Sequence, residues 1–122
     1  MRLFLRVMKA LSDPGRVKII KLLGQGELCV CELTALLGLS QPTVSKHLRI
    51  LDEAGLVTFR KDGAWTNYRL CRETDSDYAR EMLTHLDHWL TTDSQIQELK
   101  DKLPSLDRCR YLPTNQHPTK TP

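Results

Sequence analysis

Residues 38–55 read GLSQPTVSKHLRILDEAG and carry the punctuation of one amphipathic helix. Ser40 is a capping residue, Pro42 falls in the first turn where a missing N–H costs little, and Gly55 closes the run. Val44, Leu48 and Leu51 recur at helical spacing and mark a buried face. Ser40, Gln41, Thr43, Ser45, Lys46, His47 and Arg49 are the polar residues that remain.

Working outward, residues 27–38, ELCVCELTALLG, read as a short helix that begins near two cysteines and stops at Gly38. Two short helices joined by a Gly-containing turn are a helix-turn-helix arrangement. Before them, Leu3, Phe4, Val7, Met8 and Leu11 give a first helix. Asp13, Pro14 and Gly24 then bound a second over about 14–23, with Val17, Ile20 and Leu23 expected inside. After Gly55, LVTFR and WTNYRL flank a DG turn, a strong hairpin signal with basic residues Arg60 and Lys61 beside the turn. SDYAREMLTHLDHWL (76–90) places Tyr78, Met82, Leu86 and Trp89 or Leu90 on one stripe, a last long helix whose apolar surface exceeds what a small domain covers alone. The fold class expected is mainly α (α+β): about five helices, a two-stranded hairpin, and a homodimer formed through the first and last helices. Residues 1–106 form the domain in this reading, and 107–122, rich in proline, form a flexible C-terminal tail.

A chain of 122 residues is enough for one core and not for two. No apolar run reaches membrane-spanning length, and Arg2, Arg6 and Lys9 interrupt the N-terminal apolar residues, so a cytoplasmic protein with no membrane partner is expected. Charge is unevenly placed: residues 1–72 hold 12 Lys/Arg against 6 Asp/Glu, whereas 73–122 hold 6 against 9. The basic front suggests a polyanion partner. Four cysteines, two of them in a C-x-C, make a poor disulfide framework and suit free thiols that bind metal or react.

In this order, ELCVCEL, LSQPTVSKHLRIL and WTNYRL closely resemble the ArsR/SmtB family of metal-responsive winged-helix repressors, and most of all its arsenic-responsive branch. The resemblance covers about residues 3–95. It implies a non-enzymatic repressor that binds operator DNA as a homodimer and is released when As(III) or Sb(III) binds thiolates. On this reading the second helix of the helix-turn-helix enters the major groove, where Gln41 and Arg49 can contact bases. Ser40, Thr43, Ser45, Lys46 and His47 support it, and Arg60 and Lys61 meet the backbone or the adjacent minor groove. A surface helix often carries such residues without binding anything, so the weight rests on the combination. A twofold dimer spaces two such helices roughly 34 Å apart and calls for an imperfect inverted repeat.

Soft thiolate donors suit a thiophilic ion, and no permanent cofactor is expected. The resemblance implies three sulfurs around arsenite or antimonite, with Cys29 and Cys31 as two of them. Many such repressors read ELCVCDLC, whereas this chain has Thr34 at the third position. Cys109 is the first candidate to replace it, ahead of a small thiol or water and of Cys71. Residues i and i+2 of a regular helix stand about 200° apart, so an ion held by Cys29 and Cys31 is expected to unwind the start of their helix. Two other readings stand beside this one. A cadmium, lead or zinc sensor of the same fold lacks here the cysteines before Cys29, and Asp75, Asp77, His88 and Thr91 match its zinc pattern at only two of four positions. A thiol redox protein would favour C-x-x-C in a βαβ context, which is missing.

Overall fold

The computed structural model describes residues 1–105. Along the chain they form α1 (Arg2–Ala10), α2 (Pro14–Leu23), β1 (Leu28–Cys29), α3 (Val30–Leu37), α4 (Gln41–Glu53), β2 (Val57–Asp62), β3 (Trp65–Leu70), α5 (Asp77–Leu86) and α6 (Ser94–Lys102), closed by a 3-10 turn over Leu103–Ser105.

The helix starts follow the capping chemistry. The Asp13 carboxylate accepts from the Arg16 amide at 3.2 Å with Pro14 opening α2, and Ser40 Oγ accepts from the Thr43 amide at 3.4 Å at the head of α4. Gly38, at φ 69°, ends α3 in the left-handed conformation that glycine adopts without strain, and the chain turns directly into α4. Val44, Leu48 and Leu51 are fully buried, and α4 packs on α2 and α3. Within α2, Ile19, Ile20, Leu22 and Leu23 are all buried, so this helix is the centre of the core.

The hairpin pairs Asp62 with Trp65 around Gly63–Ala64, and Gly63 takes φ 66° at the first central position, as a type II′ turn requires. A third strand joins it. Leu28 and Cys29 pair antiparallel with Tyr68 and Asn67, giving the sheet order β1-β3-β2. A two-residue strand has no alternation to read, which is why only two strands were expected.

The stripe over 76–90 does form a helix, yet it stops at Leu86, and a sixth helix follows. At that end sits Lys21, a buried lysine of α2 whose Nζ donates to the carbonyls of Leu86 (2.5 Å) and Trp89 (2.7 Å). A cation on the last carbonyls satisfies acceptors that another helical turn would otherwise use. Leu90 then takes φ 62°, and Asp93 caps α6 by accepting from the amides of Gln95 and Ile96. Ile96 and Leu99 are buried as α6 packs on α2 and α3. Asp93 followed by apolar residues three apart was a readable signal for this helix.

Burial, reinforced by Lys100, pulls the Lys21 pKa below the ordinary lysine range, with Asp87 opposing. Replacing Lys21 with Met keeps the apolar stem and leaves two carbonyls without their donor. The expected loss is about 1–3 kcal/mol in urea unfolding, and an unchanged midpoint would show that water substitutes for the ammonium.

Candidate nucleic-acid interface and thiol site

The expected reading residues divide on α4. Gln41, Thr43, Ser45, Lys46 and Arg49 are exposed, with Ser40 at the helix head engaged through its hydroxyl with Thr43 Oγ1 at 2.9 Å. His47 turns back toward α2: its side chain is 14% exposed, with Nε2 3.7 Å from Asp13 Oδ2 and Nδ1 3.3 Å from Arg16 Nη1. The helix-turn-helix thus uses His47 to seat α4 against the start of α2. In the hairpin Lys61 is exposed, while Arg60 holds Glu27 in a bidentate pair, Nη2 to Oε1 at 2.7 Å and Nε to Oε2 at 3.2 Å.

The two thiols meet at a joint. Cys29 is the last residue of β1 and also the N-cap of α3, with extended backbone (φ −84°, ψ 165°). Its amide donates to the buried Glu32 carboxylate at 2.8 Å, one arm of a capping box. Because Cys29 lies outside the helical turn, the i, i+2 angle of a regular helix does not apply to it. The Cys29 and Cys31 sulfurs stand 2.7 Å apart while α3 is fully formed from Val30 onward, so the premise that both cysteines lie in one regular helical turn does not hold. The hydrogen bond between the thiols, with burial behind it, pushes Cys29 up, and the same bond holds Cys31 below the usual thiol range. The two thiols therefore titrate as a pair, in which losing one proton is favoured and losing both is not.

Both cysteines line a cavity of about 360 Å³ with Val30, Thr34, Gln41, Ala64, Trp65 and Thr66. Sequence reasoning missed this convergence of α3, the start of α4 and the hairpin turn, because only the pairing of β1 with β3 creates it. Thr34 Oγ1 donates to the Val30 carbonyl at 2.8 Å, so its hydroxyl is already committed. Cys71 follows β3 four residues beyond Asn67, the partner of Cys29, or roughly 13 Å away by strand rise. Cys109 lies outside the described residues. Among the described residues no group of three or more His, Cys, Asp or Glu is placed to hold a metal ion. His85 of α5 stacks on Trp89 with centroids 4.7 Å apart, a packing role rather than a ligand cluster.

A family model described as bacterial regulatory protein, arsR family, matches residues 13–58, the segment from the start of α2 to the start of β2. The arsenic resistance transcriptional regulator ArsR2 of Pseudomonas putida is 45% identical over 78 residues, 63% of this chain and 67% of that one. The chain belongs to the ArsR family. Another member, the arsenical resistance operon repressor of Escherichia coli K12, is 48% identical over 67 residues, 54% of this chain; the match spans 57% of that repressor's length. A solved structure of similar fold is a homodimeric winged helix-turn-helix DNA-binding domain from Mycobacterium bovis, a possible ArsR-family regulator. It is 26% identical at a TM-score of 0.60, covering 85% of this chain and 83% of that one. The ArsR fold therefore frames the thiol joint and the exposed face of α4.

The thiol bond gives a direct expectation. Cys29→Ala removes the thiol whose bond holds Cys31 below the usual range, so Cys31 returns toward the ordinary thiol range and alkylation at neutral pH slows. Mass spectrometry of iodoacetamide-treated protein reads this, and a rate equal to wild type would contradict it.

Proposed function

We propose that this ArsR-family chain is a transcriptional repressor that binds operator DNA as a homodimer and leaves it when As(III) or Sb(III) binds its thiols. What carries the reading is the thiol pair, two sulfurs 2.7 Å apart at a joint that α3 shares with the three-stranded sheet. The names of the Escherichia coli and Pseudomonas putida relatives support an arsenic response. In this reading Cys29 and Cys31 supply two sulfurs, and Cys109 the third. Water or a small thiol takes that place in its absence.

Gln41 and Arg49 read bases in the major groove, while Ser40, Thr43, Ser45 and Lys46 position the helix on phosphates. His47 supports them from behind, and Arg60 and Lys61 of the wing meet the backbone. The dimer uses the apolar surface that α1 and α5 leave uncovered. Leu3 (55%), Tyr78 (45%) and Trp89 (50%) are exposed, and Phe4 packs edge-on to Tyr78 at 5.4 Å, which joins the two helices into one face. The homodimeric Mycobacterium bovis domain supports the same assembly. Two α4 helices related by a twofold axis then match an imperfect inverted repeat.

Release follows from shared parts. An ion bridging Cys29 and Cys31 replaces their hydrogen bond, and the cavity walls that must adjust include Gln41 of α4 and Trp65 and Thr66 of the wing. A coupling of about 1–3 kcal/mol weakens operator binding some 5- to 150-fold.

Fluorescence anisotropy with a labelled duplex, selected by the protein from random-sequence DNA, tests the reading. Arsenite is expected to release wild type, and the Cys29→Ser and Cys31→Ser variants are expected to repress without responding. Normal release of either variant sinks the proposal, and so does release of wild type by zinc or cadmium alone. On the same duplex, Lys46→Ala should weaken binding across sequences and flatten the salt dependence by about 0.9 in the log–log slope.

A further inference from the structure

The wing carries less free positive charge than its sequence suggests. Arg60 presents Nε and Nη2 to the two oxygens of Glu27, at 3.2 and 2.7 Å, and its Nη1 lies 3.7 Å from Asp62 Oδ2. The neighbouring carboxylates hold its guanidinium even further into the charged form than usual. Its charge is nonetheless offset on both sides before any DNA arrives.

The pairing is not local. Arg69 of β3 and Glu73 just beyond it, another bidentate pair, are four residues apart, whereas Glu27 and Arg60 are separated by 33 and join the loop before β1 to β2. The register explains the meeting: Cys29 lies opposite Asn67 on β3, and Asn67 lies opposite Arg60 on β2, so the residues just ahead of β1 are carried across the sheet toward Arg60. Gly26, at φ 145°, turns the chain into this approach.

A backbone phosphate and a carboxylate offer the same pair of oxygens to a guanidinium fork, so they compete for it. A phosphate arriving at Arg60 also meets the negative charge of Glu27. We propose that Glu27 is an affinity-setting residue of the DNA interface: its carboxylate occupies the edge of Arg60 that a phosphate would take, and Arg60 reaches DNA only by leaving Glu27. The inference rests on the operator-binding reading above. An exposed ion pair of this kind is weak, so the latch moderates operator affinity a few-fold without abolishing binding. Glu27 also lies two residues ahead of Cys29, in the loop that leads into the strand carrying the thiol.

The test measures binding of the full chain to the same selected duplex across a range of KCl concentrations. Glu27→Gln is expected to bind about two- to fivefold tighter. Its salt dependence steepens by about 0.9, the signature of one added phosphate contact. Arg60→Gln erases that gain, so the Glu27→Gln/Arg60→Gln double variant binds as Arg60→Gln does. Glu73→Gln, which changes net charge equally but frees Arg69, leaves the affinity near wild type. Equal or weaker binding by Glu27→Gln overturns the inference, as does a gain that survives Arg60→Gln or that Glu73→Gln reproduces. If the wild-type chain itself selects and binds no duplex, the repressor reading falls and takes the latch with it; wild-type binding with an indifferent Glu27→Gln removes the latch alone.

Discussion

Cys29 has to satisfy two secondary structures at once, and the rest of the site depends on how it does so. It ends a strand hydrogen-bonded to β3 and caps a helix through its own backbone, with Glu32 accepting its amide at 2.8 Å. Those two commitments fix its extended backbone and bring its sulfur beside that of Cys31. Had Cys29 been one turn inside α3, the two side chains would point about 200° apart and no shared ligand could reach both from an intact helix. A preformed pair costs less to load than one that must first melt its helix, because no helical hydrogen bonds are lost on the way. In the proposed mechanism the ion acts on the joint around the pair, and α3 stays wound.

Much of the fold was legible. Asp13–Pro14, Ser40 with Pro42, Gly38 and the Asp62–Gly63 turn are local chemistry, and each sits where the sequence places it. What was not legible depends on contacts between distant segments. Lys21 caps the end of α5 from 65 residues away, through the Leu86 carbonyl, and no periodicity in 76–90 announces that. β1 is too short for a pattern, yet it makes the sheet three-stranded and draws Trp65 and Thr66 to the thiols. α6 is a different case, since Asp93, Ile96 and Leu99 carried its signal in plain view.

At the site, residue types were easier to read than their surroundings. The thiol pair and the exposed residues of α4 follow from the motif, whereas the partners of His47 and Arg60 do not. His47 looks like a groove-facing residue in the helical pattern but lies against Asp13 and Arg16. Arg60 looks like free wing charge but is held by a carboxylate 33 residues earlier. Arg60 is charge that the sequence counts as available and that folding offsets with a neighbouring carboxylate. Charge asymmetry along a chain identifies the class of partner, and the pairs formed on folding set how much of it the partner meets.

The central claim is that thiol ligand and operator act on one joint, so that each weakens the other by the same factor. The most direct measurement is the arsenite affinity of the chain, followed through Trp65 fluorescence, without DNA and with saturating operator duplex. The account predicts that operator weakens arsenite binding by the factor by which arsenite weakens operator binding. Equal arsenite affinity in the two conditions would contradict it.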